Sequence, residues 1–411
     1  METLRTRTLR DFQESWTLCQ HCGACNGRGP IIPHNWRELP PPEWSSPHRR
    51  CPSFEHFNFR AYNAQGRGVL ASLVFDDPDF PLTEDLLKIV YTCTSCGGCS
   101  DICKAVDPLT ALWALRHELV RRGAELPERL RKTHERIRRY GNVFGATRST
   151  AVEGLPTCGE DVFFAGCEVR FSQPRIVGAV AGVLELAGVE VACLGDAERC
   201  CGFIPGYDGT EALLEEQALR NVEALAKAGA RRVIVSCAHC YRALKVDYPL
   251  IAGQLPFQVV HFSELLANLL REKKVAFSRE VEGPVTYHDP CFLGRHGKVY
   301  DAPREVIAAV PGTRLVEMER NRRWSYCCGS GAKISSACYP EFGEAVTRER
   351  LAEGREAAGT VVTACTTCAS TLSRGARREG LDVEVVDLSV FAARALGVEP
   401  DADAGIPELE K

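Results

Sequence analysis

Residues 288–297 read HDPCFLGRHG, residues 326–333 read YCCGSGAK and residues 361–370 read VVTACTTCAS. Cys291 is followed after 35 residues by the Cys327-Cys328-Gly329 turn, and 36 residues separate Cys328 from the Cys365-x-x-Cys368 pair. The arrangement also occurs earlier, as Cys167, Cys200-Cys201-Gly202 and Cys237-Ala-His-Cys240. Corresponding cysteines are offset by 124 (Cys167 and Cys291), 127 (Cys201 and Cys328) and 128 (Cys237 and Cys365), and HFSELLA at His261 matches DLSVFAA at Asp387 at 126. A nearly constant offset is the mark of a duplicated module. Five thiols are thus delivered twice, from three loops each time. Packing alone gives no reason for that repetition, and both sets are read as iron–sulfur sites.

The sequence around these cysteines alternates short apolar runs with longer amphipathic segments: DVFFAG, PRIVGAVAGVLELAG, VEVACLG, TEALLEEQALRNVEALAKAG, RRVIVSC and FQVVHFSELLANLL. Strands alternating with helices imply parallel sheets built from βαβ units. Cys167, Cys237, Cys291 and Cys365 each follow such a run, DVFFAG, RVIVS, PVTYHDP and TVVTA. The carboxyl ends of strands form the ligand crevice of an open α/β sheet, so the thiols stand where a functional site belongs. The expected modules span 146–280 and 281–398, followed by a tail at 399–411. Packing about a pseudo-twofold would bring the two five-cysteine sites face to face.

Upstream, residues 19–25 read CQHCGAC and residues 93–103 read CTSCGGCSDIC. Cysteines at successive x2 spacing wrap one face of a cubane cluster, and in two-cluster ferredoxins the fourth cysteine of each run serves the other cluster. That rule assigns Cys19, Cys22, Cys25 and Cys103 to one [4Fe–4S] cluster, and Cys93, Cys96, Cys99 and the displaced Cys51 to a second. Zinc sites use two separated pairs, whereas two triples that each need a remote partner favour cubanes. Helical periodicity at 82–91 and 108–140 makes residues 1–145 an α-helical two-cluster ferredoxin domain. The fold class is therefore multidomain: this helical domain, then two α/β cysteine-rich modules.

The 411 residues, 45% apolar and 25% charged, have the composition of a soluble globular protein. A net charge of −4 leaves no footprint for nucleic acid, and the basic run at 116–139 is read as a solvated helix face. Twenty-one cysteines in tight clusters, with no signal peptide at METLRTRTLR, indicate a cytoplasmic protein rather than a disulfide framework. No window is apolar enough to span a membrane, so attachment to its inner face would come through a partner. There is no GxGxxG after a strand, hence no expectation of flavin or nicotinamide in this chain.

The paired Cys, Cys-Cys-Gly, Cys-x-x-Cys units resemble the cysteine-rich CCG domains of the heterodisulfide reductase catalytic subunit, and the N-terminal domain resembles that enzyme's two-cluster, ferredoxin-like subunit. Together they look like the fused form, over roughly residues 13 to 395. The resemblance implies two noncubane [4Fe–4S] clusters, one held by Cys167, Cys200, Cys201, Cys237 and Cys240, the other by Cys291, Cys327, Cys328, Cys365 and Cys368. It also implies an iron–sulfur oxidoreductase subunit that splits a small-molecule or protein disulfide between those clusters, with electrons arriving singly from the cubane pair and other redox subunits as partners. His239 and His288 are the candidate catalytic groups, since an imidazole protonates a departing thiolate near neutral pH. Arg170, Arg242, Lys245, Arg295, His296, Lys298 and Lys333 are candidate contacts for an anionic substrate or partner, weighed against pairing with carboxylates such as Asp289. The alternative is a noncatalytic carrier between a flavoprotein dehydrogenase and a membrane quinone or cytochrome b partner. Cys158, Cys193 and Cys338 fit no motif and are expected to be small buried hydrophobes.

Overall fold

A computed structural model describes residues 10, 19, 50–103, 105–147, 149 and 152–398. Residues 52–147 are built from helices, the main ones being Pro52–Phe57, Ala64–Asp76, Glu84–Tyr91, Gly98–Ile102, Pro108–Arg121 and Glu128–Tyr140. Their starts follow from local chemistry. The Thr83 side chain accepts from the backbone N–H of Leu86, Asp107 accepts from that of Thr110, and Pro108 occupies a first-turn position where its missing N–H costs nothing. The periodic stretch 108–140 is two helices, not one, because Gly123 turns through φ +90° and Pro127 opens the second. Nor is the basic run wholly a solvated face. Arg116 is fully buried and donates to the backbone oxygens of Tyr207, Val90 and Cys93 and to Ser95 Oγ.

The first module carries the parallel strands β1 (Asp161–Phe163), β2 (Arg232–Val235) and β3 (Gln258–His261), in the order β1-β2-β3. The second carries β4 (Gly283–His288), β5 (Thr313–Leu315), β6 (Thr360–Thr363) and β7 (Glu384–Asp387), ordered β5-β4-β6-β7, all parallel. VEVACLG, expected as a strand, contributes a single bridge in which Ala192 pairs with Val162. The rest of the alternation holds, with helices Arg175–Leu186, Glu211–Lys227, Pro340–Ala357 and Thr366–Arg378 between strands. Helix Leu388–Leu396 of the second module packs on helix Arg175–Leu186 of the first, and Gly182 keeps that approach close: a Cβ there would lie 2.6 Å from Val398 Cγ1. One apolar core runs through all three parts.

The duplication extends to equivalent helix caps. At the end of β3, His261 Nδ1 accepts from the Ser263 N–H at 3.2 Å; at the end of β7, Asp387 Oδ1 accepts from that of Ser389 at 2.9 Å. Burial holds the His261 imidazole down at about 4, below its unfolded value near 6.5. A depressed folded value means stability present above pH 6.5 and lost as pH falls toward 4, worth about 3 kcal/mol at full extent. Denaturant unfolding between pH 7.5 and pH 5 should therefore show a loss that His261→Asn, which retains a cap acceptor, largely removes. An unchanged pH slope in that variant would assign the loss to other groups.

Candidate functional site: three sets of buried thiols

Cys51, Cys93, Cys96 and Cys99 line one cavity, walled further by Arg67 and Leu112. The loop that presents three of them needs left-handed residues, Ser95 at φ +54° and Gly97 at φ +75°. Cys51 arrives from a different segment, at the head of helix Pro52–Phe57. Arg67 pins that segment to the loop by donating to Ile89 O, Tyr62 O and Ser53 Oγ at 2.8, 2.6 and 2.7 Å. Burial pushes the Cys51 thiol up to about 12 against the opposing charge of Arg67. In donor number and softness, four sulfurs on one cavity fit a [4Fe–4S] cluster. The other expected set is only partly in view: Cys19 and Cys103 are half-buried, and Cys22 and Cys25 lie outside the described residues.

The ten remaining motif cysteines form a near-continuous run of sulfur contacts. Cys167 meets Cys200, Cys200 meets Cys201, Cys201 meets Cys240 and Cys240 meets Cys237. Cys237 then meets Cys365 of the other module, and the run continues through Cys368 and Cys328 to Cys327. Cys291, pushed up to about 12 by burial, lies close enough to Cys96 and Cys328 to feel their charge. The two five-cysteine sites thus stand face to face, and the second lies next to the N-terminal cavity. The neighbouring thiols split one another: Cys201 is held down by Cys200 and Cys240, while the Cys240 thiol is pushed up.

Backbone geometry makes each adjacent-cysteine turn possible. Gly202 follows its pair at φ +75° and Gly329 at φ +97°. The buried carboxylate of Glu198 accepts from the N–H groups of Ala165 and Gly166 at 2.9 and 2.8 Å, shaping the loop that carries Cys167. Cys200 N–H donates to Gly141 O at 2.6 Å, tying the first site to the N-terminal domain.

Both candidate histidines are buried beside these sulfurs. His239 stacks on Phe203 with ring centroids 4.1 Å apart, and its Nδ1 lies 3.5 Å from Thr367 Oγ1, which is 3.8 Å from Cys237 Sγ. His288 Nδ1 takes a hydrogen bond from Arg350 Nε at 2.9 Å. Burial lowers both imidazoles below the ordinary histidine range.

Most of the expected cationic rim is committed to partners within the protein, while Lys245 and Lys298 stand exposed. Arg170 contacts Glu198 and Asp196, Arg242 contacts Asp247 and Tyr207, and Lys245 donates to Val259 O. Arg295 donates to Cys96 O and Ser325 O, His296 Nε2 meets Ser95 O, Lys298 pairs with Asp101, and Lys333 pairs with Glu168 across the modules. Of the cysteines outside the motifs, Cys193 is buried as expected, Cys338 is partly buried beside Arg116, and Cys158 is exposed. Arg116, Arg350 and Glu198 were not singled out in sequence. For Arg350 a signal existed, since it shares helical spacing with buried Val346, Thr347 and Leu351.

Comparison with known proteins agrees with this layout. Residues 15–106 match the 4Fe-4S dicluster domain, and residues 162–245 and 285–373 each match the cysteine-rich domain designated CCG. The chain is 33% identical over 363 residues to a dihydromethanophenazine:CoB–CoM heterodisulfide reductase subunit of Methanosarcina mazei, covering 85% of this chain and 88% of that one. It is 32% identical to a fumarate reductase (CoM/CoB) subunit of Methanothermobacter marburgensis, over 73% of this chain and 60% of that one. It is also 32% identical to the EtfAB:quinone oxidoreductase of Syntrophomonas wolfei, over 61% of this chain and 38% of that one. Among solved structures, a hypothetical protein from Helicobacter pylori superposes with a TM-score of 0.54 over 98% of this chain and 81% of that one, at 9% identity, a likeness of fold alone.

The two glycine turns differ in what surrounds them. A Cβ on Gly329 would lie 2.0 Å from Thr347 Oγ1 and 2.5 Å from Gly343 O, whereas one on Gly202 would meet Leu214 Cδ1 at 2.8 Å. Both substitutions incur about 1–3 kcal/mol of backbone strain, but the first drives a methyl to 2.5 Å from backbone, against 3.0 Å from Leu214 Cα for the second. Gly329→Ala should lower the melting temperature more than Gly202→Ala and reduce iron per chain. Equal iron and equal melting for the two variants would contradict this account of the turn.

Proposed function

The chain belongs to the heterodisulfide reductase family of iron–sulfur proteins, with a 4Fe-4S dicluster domain and two cysteine-rich domains, and on that premise we propose that it performs two-electron disulfide reduction or its reverse. The balanced reaction is RSSR′ + 2 e⁻ + 2 H⁺ → RSH + R′SH. In this proposal Cys19, Cys22, Cys25 and Cys103 hold one cubane cluster and Cys51, Cys93, Cys96 and Cys99 the other. Cys167, Cys200, Cys201, Cys237 and Cys240 hold one noncubane cluster, and Cys291, Cys327, Cys328, Cys365 and Cys368 its counterpart. Such clusters supply one-electron transfer over short distances.

The observation that carries the reading is the contact of Cys237 with Cys365, which brings two five-cysteine sites together where a disulfide can be split between them. A wire alone has no need of two such sites opposed. In this reading His239, buried against Phe203 and Thr367, returns a proton to a departing thiolate; its position beside Cys237 supports that role. Phe203 and Phe292, 4.7 Å apart, keep that region apolar and strengthen every charge interaction within it.

One observation favours a carrier instead: Arg170, Arg242, Arg295 and Lys333, expected to receive an anionic substrate, are held by partners inside the protein. In that reading the chain passes electrons between a flavoprotein and a membrane quinone or cytochrome b partner; among the described residues no helix is long and apolar enough to cross a membrane. Anaerobically purified protein should contain about sixteen irons and as many acid-labile sulfides, the count for four [4Fe–4S] clusters. With an artificial one-electron donor it should consume a disulfide, and His239→Ala should slow that turnover by about 10²-fold or more, the usual range for removing a general acid. Sixteen irons without turnover would leave the carrier reading. About eight irons would overturn both noncubane assignments.

A further inference from the structure

The duplicated modules differ at a position three residues before the first cysteine of each set. His288 stands three residues before Cys291, and Phe164 three residues before Cys167. His288 is 1% exposed, and its Nδ1 lies 2.9 Å from Arg350 Nε. A guanidinium nitrogen carries its hydrogen throughout the physiological range. Nδ1 is therefore the acceptor, and the imidazole's own proton sits on Nε2. Arg350 is fixed in turn, donating to the Glu353 carboxylate at 2.8 Å and to Arg320 O at 2.9 Å.

On the other side of the ring, Nε2 meets no nitrogen or oxygen partner among the described residues. What it faces is sulfur: the ligand atoms of His288, Cys328 and Cys368 lie within 4.8 Å of one another, and the imidazole contacts the Cys328 thiol. A buried N–H left without an acceptor costs about 1–3 kcal/mol, and sulfur is the acceptor within reach. The same tautomer argues against iron ligation, because a nitrogen that bears a hydrogen has no lone pair to give.

We propose that His288 is a positioning residue whose Nε2–H donates to the Cys328 sulfur, with Arg350 fixing the tautomer, and that it makes the second module's site the more readily reduced of the two. The proposal rests on the proposed function, since it requires a cluster in each module. An added electron places negative charge on the cluster sulfurs, so a donor aimed at one of them stabilises the reduced form more than the oxidised form; cluster potentials respond to such hydrogen bonds. Phe164 gives the first module no donor at this position, and that module's own imidazole, His239, has its Nδ1 beside Thr367 Oγ1 of the other module. The two sites thereby acquire an order.

The test is a redox titration of the intact, cluster-loaded protein followed by EPR, with iron counted in each variant. His288→Phe should shift one signal to more negative potential and leave the others in place, and His288→Gln, which keeps an N–H donor, should recover part of that shift. Hyperfine spectroscopy of wild-type protein carrying ¹⁵N-histidine supplies a readout that needs no variant to fold. A weak nitrogen coupling to the same signal is expected. A strong coupling, as from a direct iron–nitrogen bond, or none at all, would overturn the proposal. So would a four-cluster protein whose potentials ignore His288→Phe. Wild-type protein with iron only in its N-terminal domain would overturn the proposed function as well.

Discussion

The contact between Cys237 and Cys365 is the constraint on which the rest of the architecture depends. Each of these cysteines ends a central strand and begins a helix, so each is fixed by its own sheet. Their meeting, however, is set by how the modules pack. Helix Leu388–Leu396 against helix Arg175–Leu186 sets the gross approach, and finer ties cross beside the sulfurs. Gln173 Nε2 donates to Thr366 O at 2.6 Å, and Lys333 pairs with Glu168. A shift of about 1 Å between rigid α/β units would leave each five-cysteine set intact and still separate the two, which explains why bonds across the modules gather at this point.

Concentrating thiols in a dry interior creates an electrostatic problem that the buried arginines answer. Thiolates taken out of water need compensation by charge or hydrogen bonding. Arg67 lines the N-terminal cavity, and Arg116 and Arg295 reach its cysteine loop from outside; each is 6% exposed or less and donates mainly to backbone oxygens. Because those bonds are to neutral carbonyls, the positive charge is not cancelled by a carboxylate and remains available to the sulfurs. Lysine would serve poorly in this role, since a planar guanidinium reaches several carbonyls at once. The same economy accounts for the internal engagement of Arg170, Arg295 and Lys333 from the expected cationic rim: positive charge near the sulfurs is already assigned.

Much of this was legible in the sequence. The constant offset between cysteine sets announced two modules, and the placement of Cys167, Cys237, Cys291 and Cys365 after apolar runs located the thiols at the carboxyl ends of strands. Cys51 lines one cavity with Cys93, Cys96 and Cys99 despite the long insertion before it. What stayed hidden was of another kind. Arg116 reads as one more charge in a basic helix, and only its position at the junction of the N-terminal domain and the first module explains its burial. The bridge at Ala192 replaced an expected strand because one pairing residue, not a ladder, is all that segment offers. Charge pairing between segments more than a hundred residues apart, such as Lys333 with Glu168, leaves no local periodicity to read.

The modules arose from one pattern but are not equivalent in the folded chain. The second is held closely against the N-terminal cysteine loop: Arg295 donates to Cys96 O at 2.6 Å, His296 meets Ser95 O, and Arg323 pairs with Asp101. The first touches that domain elsewhere: Arg116 donates to Tyr207 O, Asp208 is met by Tyr91 and His134, and Cys200 N–H reaches the Gly141 carbonyl. Once one copy of a duplicated site is fixed beside a charge source, the two copies experience different fields, and substitutions neutral in one become consequential in the other. The differences at matched positions follow that division. Where the first module has Phe164 and Glu198, the second has His288 and Ser325, with Asp289 taken up by Arg304 and the Arg322 N–H. Symmetry builds a pair of opposed thiol sites, and its local breaking gives them distinct electrostatic surroundings, which two identical sites could not have.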